Sequence, residues 1–375
     1  MKHILLFLGI TIGYHSFAQI TLIPDEEFEM FLIFNAIDTD GTVNGQVNTA
    51  DIEGVTELNI DQVPITDLTG IEDFAALEVL RINFTDLTSL NVSQNQNLVA
   101  LDCQDNKLTE LIMENNLALE ELLCGNPTFD AGGANEFTSL DLSGAPNLKF
   151  LDTYANFQLV SLNLTQIPLL ETFYGAYCQF DSLDFSNCPN LEALDIGGYE
   201  DGLIFGQSNN LTELDLSNNP NLTDVNVGFT GIILLNLQNG NNTILTEMRA
   251  SLNDMLFCIV VDSPTAANNG DVPYGNWEVD PLVYYYDSDY CELGIEENEL
   301  TSFTLSPNPT SQLVRITSSN NLAPKEIQIY SVSGQLLLEP SFNNGSIDIS
   351  KLASGFYILK ARFDTGFSSQ PFIKE

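Results

Sequence analysis

The sequence predicts a mainly β chain: a right-handed solenoid of stacked coils with a short N-terminal capping helix, followed by an Ig-like β-sandwich. Three observations lead there. The pattern L-x-x-L-x-L recurs seven times from Leu77 onward, and its apolar positions alternate with period 2. The turns between these runs are rich in Asn, Ser, Gly and Pro, which argues against helices. Charge then divides the chain, because residues 19–301 hold four cationic residues against 47 acidic ones while residues 302–375 hold six against five.

Residues 1–18 read as a signal peptide, with Lys2 and His3 before an apolar run over 4–12 and Ser16-Phe17-Ala18 at the expected cleavage point. That run is far shorter than the roughly 20 residues a membrane span requires, and no later run is long enough. Residues 19–54 form the expected N-terminal cap. There Pro24 precedes a group of acidic residues, and Phe28, Phe31 and Leu32 fall at helical spacing.

The repeats occupy residues 55–245. One series starts at Leu77, Leu98, Leu119, Leu148, Leu170, Leu191 and Leu222, in steps of 21, 21, 29, 22, 21 and 31. A second starts half a repeat away, at Leu87, Leu108, Phe137, Leu159, Phe180, Leu211 and Ile232. Each coil is therefore a strand, a turn, a second extended segment and another turn. Stacked at about 4.8 Å per coil, the Leu columns merge into one core that no single coil could form. Turn residues such as Asn95, Asn106, Asn116 and Asn219 are expected to satisfy backbone groups inside the tight coils.

Cys103 and Cys124 share one inward column and are expected as buried thiols, although a bond between them lies within reach. Cys178 and Cys188 replace turn residues of the Asn type, and their pairing stays open. Residues 246–291 make a C-terminal cap from a buried strand at 255–261, Trp277 and the tyrosines at 284–286. Cys258 and Cys291 bracket it, and in an oxidising compartment they are expected to pair. Residues 292–301, acidic and unpatterned, form a linker.

Over about residues 50–245 these repeats resemble the leucine-rich-repeat family, especially the short acidic repeats of secreted bacterial members related in form to internalins. The resemblance implies a binding scaffold and leaves the ligand open. Residues 302–375 read FTLSPNPTSQLVRI, EIQIYSVSGQLLLEP, IDISKLASGFYILKARF and QPFIKE, alternating strands between Gly, Asn and Pro turns. This ordered set resembles the type A sorting domain of the type IX secretion system. The motif positions are Pro307, Asn308 and Pro309, then Tyr330 and Gly334, then Leu352, Gly355, Tyr357 and Lys360. The resemblance implies the type IX translocon as partner and a secreted or outer-surface location on a Gram-negative bacterium.

Both histidines, His3 and His15, lie in the signal segment, so the mature chain is predicted to lack Ser-His-Asp, Cys-His and His-metal chemistry. No catalytic residue, cofactor or metal site is predicted. Asp38-Thr39-Asp40-Gly41 resembles the start of a calcium loop, but placing Gly41 at position six puts Ala36 and Val47 where acids are needed. A polar turn is expected instead. The negative charge disfavours nucleic acid and either suits a cationic ligand or only keeps the chain solvated.

The predicted function is extracellular protein or glycan binding. The alternatives are a carbohydrate-active β-solenoid enzyme and a passive surface-layer component. An enzyme of that kind would act through a carboxylate pair or cationic stabilisation, and cations are scarce here. Most outward repeat positions are polar: Asp102, Asp141, Asn163, Asp184, Asp195, Asp215 and Asn226. Phe150, Tyr154 and Tyr174 are exceptions, bracketed by insertions at about 125–136 and 197–210, with Tyr199 at the edge. These four are the predicted ligand-binding residues.

Overall fold

The computed structural model describes residues 19–128, 134–198, 209–281, 283–287, 303–318, 322–331, 335–343, 345–363 and 366–375. The signal segment, Tyr199, Cys291 and Gly334 lie outside them. The chain divides into two compact units, the repeats and the tail.

The repeats build a parallel sheet of nine strands in sequence order: Glu57–Asn59, Val79–Arg81, Ala100–Asp102, Glu121–Leu123, Phe150–Asp152, Thr172–Tyr174, Ala193–Asp195, Asp224–Asn226 and Glu247–Arg249. Their central residues, from Leu58 through Leu151 and Leu194 to Met248, form one buried column. Two strands exceed the seven predicted, because Val55-Thr-Glu-Leu and Leu245-Thr-Glu-Met carry weaker versions of the motif. The second series pairs as well, in parallel ladders that join Ser89–Asn91 to Glu110–Ile112 and run from Glu213–Asp215 through Leu234–Asn236 and Cys258–Val260 to Tyr284–Tyr286. Between these ladders only the bridge Leu140 to Leu162 is formed among the described residues.

Phe173 occupies the Leu column, and the volume it adds is offset two residues on by Gly175, where a Cβ would lie 2.5 Å from the Phe173 ring.

The turns show how a tight coil satisfies its buried carbonyls. Asn106 Nδ2 donates to the carbonyls of Ile82 and Cys103, Asn135 to those of Cys103 and Cys124, and Asn156 to those of Cys124 and Thr153. The ladder continues with Asn209 on Gly175 and Ile196 and ends with Asn253 on Val227 and Ala250. Cys178 takes one place in it, its Sγ 3.2 Å from the Thr153 carbonyl. Asn95, Asn116, Cys188 and Asn219 form the corresponding ladder on the other turn. Asn135 and Asn209 stand at the ends of the two insertions, where the chain rejoins the ladder.

At the N-terminus, Glu26–Phe34 is the expected helix and buries Phe28 and Leu32. Asp25 caps it by accepting from the Glu27 and Phe28 N–H groups through Oδ1, while its Oδ2 accepts from Thr66 and Asp67 in the first coil. Ile20–Leu22 pairs antiparallel with Gln46–Asn48, and a second short helix follows at Thr49–Ile52. Buried Glu29 accepts from the backbone N–H groups of Asn44, Gly45 and Gln46. The 38–41 segment turns on its own side chains, with the Asp40 N–H on Asp38 Oδ1 and the Thr42 N–H on Asp40 Oδ1.

The tail is a β-sandwich. One sheet holds Phe303–Ser306, Leu313–Ser318 and Ser346–Asp348, and the other holds Leu336–Leu338, Glu326–Ser331, Gly355–Phe363 and Gly366–Lys374. Phe303, Val314, Ile329, Leu359, Phe363 and Phe372 are among the side chains that fill the space between.

Candidate functional site

Each strand of the nine-stranded sheet turns its two flanking residues away from the Leu column. Register places Phe150 in line with Thr172, Ala193, Asp224 and Glu247, and Asp152 in line with Tyr174, Asp195, Asn226 and Arg249. Tyr174 thus stands between Asp152 and Asp195, one strand spacing of about 4.8 Å from each. Its ring meets the edge of Phe150 with centroids 5.4 Å apart at 90°. Tyr174 is 37% exposed. Thr172 and Ala193 leave a floor of short side chains between this pair and Asp224.

Tyr154 lies two residues beyond its strand and pairs with Tyr177 instead, at 5.5 Å and 83°, beside Ala155, Ala176 and Phe157. The four aromatic rings therefore form two pairs, one on the sheet and one on the turn that follows it. Sequence reasoning missed Tyr177 because it falls at a left-handed turn position, φ 57, outside the L-x-x-L-x-L frame. The signal was available in register, since Phe84, Ala155 and Phe229 occupy the same left-handed position in other coils.

The carboxylates on this face are partly satisfied by amides of neighbouring coils. Asp152 accepts from the Tyr154 N–H and Gln104 Nε2, Asp102 from Asn83 Nδ2, and Asp195 from Asn226 Nδ2. Burial, with nearby Asp102 and Asp105, pushes the Asp152 carboxyl up to about 6. Burial also raises Asp102, and burial with Glu247 raises Asp224. Tyr174 is raised by its own burial and by Asp224, Asp195 and Asp152.

Because Asp152 is raised in the folded state, its proton favours folding. The contribution is fully present below the unfolded value near 3.8 and is lost as pH rises through about 6. A shift of this size corresponds to about 3 kcal/mol. Asp152→Asn, which keeps an acceptor for the Tyr154 N–H, is expected to melt above the parent chain at pH 7 and together with it near pH 4, as thermal denaturation across pH would show.

All four cationic residues of the repeat region are engaged in ion pairs: Arg81 with Glu57 at 2.6 Å, Lys107 with Asp86, Lys149 with Glu120 at 2.7 Å, and Arg249 with Glu278 at 3.4 Å. Each is exposed, so these pairs add little stability, but they leave the face without a free cation among the described residues. No group of three His, Cys, Asp or Glu side chains among those residues is placed to hold a metal.

Cys103, Cys124, Cys178 and Cys188 are free and buried. Burial raises all four thiols, Cys178 to about 12 and Cys188 to about 11, which makes them packing groups rather than nucleophiles. Cys258 is buried in the second ladder, while its expected partner Cys291 lies outside the described residues.

In the tail, Asn308 joins the opening strand to the last one, donating from Nδ2 to the Pro371 carbonyl and accepting from the Ile373 N–H. Pro307 and Pro309 flank it. Tyr357 packs on Phe372 and donates its hydroxyl to the Ala353 carbonyl, closing the turn before Gly355. Lys360 lies three residues further along the same strand, opposite Gln328, and is lowered by burial. Leu352 packs against the sandwich core, and Tyr330 donates to Gln328 Oε1.

The coil, its Leu column and its Asn ladders define a leucine-rich-repeat solenoid. Residues 304–375 match the family model of the secretion system C-terminal sorting domain. No curated protein sequence matches the chain. Among solved structures it is similar to InlP of Listeria monocytogenes, at 17% identity over 94% of this chain and 98% of that one, with a TM-score of 0.43. The functional domain of InlJ from the same organism, described as including a cysteine ladder, is 18% identical over 96% and 99%, with a TM-score of 0.39. The leucine-rich-repeat protein LIC12759 of Leptospira interrogans is 16% identical over 64% and 69%, with a TM-score of 0.42. Among the described residues no helix is long and apolar enough to cross a membrane.

Proposed function

We propose that this is an exported, non-catalytic binding protein that meets an extracellular protein or glycan on the open face of its nine-stranded sheet, with Phe150, Tyr154 and Tyr174 as contacts and Tyr199 at the edge. The observation that carries the reading is the edge-to-face Phe150–Tyr174 pair on this sheet face, with Tyr174 exposed and Phe150 half-buried. Exposed aromatics held on rigid strands supply contact area at little entropic cost. The sorting tail supports delivery through the type IX translocon to the medium or the outer cell surface, with Pro307, Asn308, Pro309, Gly334, Gly355, Tyr357 and Lys360 as its recognition and folding set. Pairing of Cys258 with Cys291 would fasten the last coil against loss in that oxidising setting.

Capture from extracellular material and a glycan array, both with residues 19–300, test the reading. Tyr154→Ala combined with Tyr174→Ala is expected to weaken the captured partner at least about tenfold, the loss of one or two aromatic anchors. Unchanged binding to every captured partner would overturn it.

A further inference from the structure

Residues 19–80 contain no Lys, Arg or His, and the first cation after them, Arg81, is paired with Glu57 at 2.6 Å. Within this stretch the N-terminal cap gathers four carboxylates. The Asp40 N–H donates to Asp38 Oδ1, Asp40 Oδ2 accepts from Asn44 Nδ2 at 2.9 Å, and the Asn44 N–H in turn reaches Glu29. Asp51 Oδ2 accepts from the N–H and the hydroxyl of Thr39, the residue between the two aspartates.

Each of these oxygens has a donor, but one oxygen of the group has none. Asp38 is only 3% exposed, and its Oδ2 is enclosed without a hydrogen-bond partner. The charged groups that act on it, Asp40, Glu29 and Asp51, are all acids. Burying a carboxylate oxygen with neither donor nor cation is costly, and proteins avoid it. Buried Glu29 illustrates the ordinary solution, with both oxygens taken up by backbone N–H groups of residues 44–46.

We infer that the cap binds a calcium ion at Asp38 Oδ2, with Asp40 as the second carboxylate and with loop carbonyls and water completing the shell. An enclosed oxygen is out of reach of a lysine or arginine from a partner, whereas a small ion can enter. Oxygen donors without His or Cys select a hard cation rather than zinc. Calcium accepts six to eight oxygens in an irregular arrangement, while magnesium demands an octahedron and keeps its water. Among the described residues no three acidic side chains converge as direct ligands. Glu29 and Asp51 therefore stay on their N–H donors and supply surrounding charge. The site is not the twelve-residue calcium loop excluded by the spacing around Gly41, because its charge comes from both short helices as well as from the turn. A shell with two carboxylates belongs with the weak sites of extracellular modules, at a Kd of about 0.1–1 mM. The ion would tie Glu26–Phe34, the 38–46 turn and Thr49–Ile52 into one cap.

The test uses the full chain freed of metal with a chelator and titrated with calcium chloride or magnesium chloride by calorimetry. One calcium site is expected, with magnesium at least about tenfold weaker. Asp38→Asn keeps the acceptor for the Asp40 N–H and removes the charge, and it should weaken calcium at least about tenfold. Glu213→Gln, an equal loss of charge on an exposed strand position remote from the cap, should leave that affinity within about twofold. Calcium should also raise the melting midpoint of the parent chain and not that of Asp38→Asn.

Parent calcium affinity in Asp38→Asn would overturn the inference. Equal binding of calcium and magnesium, or equal losses in Asp38→Asn and Glu213→Gln, would show diffuse attraction to an acidic chain and overturn it too. Should Asp38→Asn fail to fold, hydrogen exchange of the parent chain decides. Slowed exchange over residues 37–46 on adding calcium is the expected result, and unchanged exchange there would contradict the site.

Discussion

Asn106→Leu is expected to destabilise the repeats by about 4 kcal/mol, more than loss of any one Leu contact in the turn. The side chain is fully buried and works in both directions. Its Oδ1 accepts from the backbone N–H and hydroxyl of Thr85, and its Nδ2 donates to the Ile82 and Cys103 carbonyls at 2.7 and 3.0 Å. Leucine has nearly the same volume, so no cavity forms. What it leaves is a buried Thr85 N–H and an Ile82 carbonyl without these partners, each costing about 1–3 kcal/mol. Asn97→Leu is the matching control. Asn97 also spans coils, donating to the Ala75 carbonyl at 2.9 Å, but it is exposed and water can take its place. A shift below about 1 kcal/mol is expected there. Urea denaturation of the two variants compares them directly, and equal effects would show that the ladder does not hold the coils.

Gly144→Ala is expected to cost about 3 kcal/mol for the opposite reason, too much matter rather than too few bonds. A Cβ at this position would lie 1.7 Å from the Met113 carbonyl oxygen and 2.7 Å from its carbon. Both are backbone atoms of the preceding coil, so no side chain can swing aside. The turn that follows Met113 carries Asn115 at a left-handed φ of 65. Gly54, with open space at its Cβ and no left-handed φ, should accept alanine with little change or a small gain. Thermal midpoints of the two glycine variants separate steric approach from any general effect of alanine.

These two cases mark what the sequence makes legible. The Leu columns and the Asn turn positions could be read directly, because period and residue type name the same groups that the coil buries and pairs. Asn106 stood out as a turn residue on those grounds. Gly144 did not, since the need for glycine arises from the backbone of a neighbouring coil whose turn angle no local pattern reports. The pairing of the second series was likewise hidden. Its extended segments join into ladders from Leu90 to Leu111 and from Leu214 through Leu235 and Ile259 to Tyr285, at steps of 21, 24 and 26 residues, while the 21-residue step from Leu162 to Leu183 forms none among the described residues, so spacing does not report the pairing. The Thr49–Ile52 helix is too short to show a period.

For the candidate site, Phe150 and Tyr174 were readable as outward residues from their phase beside Leu151 and Phe173. Their mutual contact needed the parallel register, and so did the placement of Tyr174 between Asp152 and Asp195. The raised Asp152 carboxyl was not readable at all, since it depends on how deeply a nominally outward position is covered by Tyr154, Gln104 and the coil before it.

The location of binding is tested most directly by hydrogen exchange of the chain with and without its captured extracellular partner. Slowed exchange at Phe150–Asp152, Thr172–Tyr174 and Ala193–Asp195 and in the turn carrying Tyr154 and Tyr177 is the predicted result. Protection confined to Glu213–Asp215, Leu234–Asn236 and the rest of the second ladder, or to the tail alone, would contradict it.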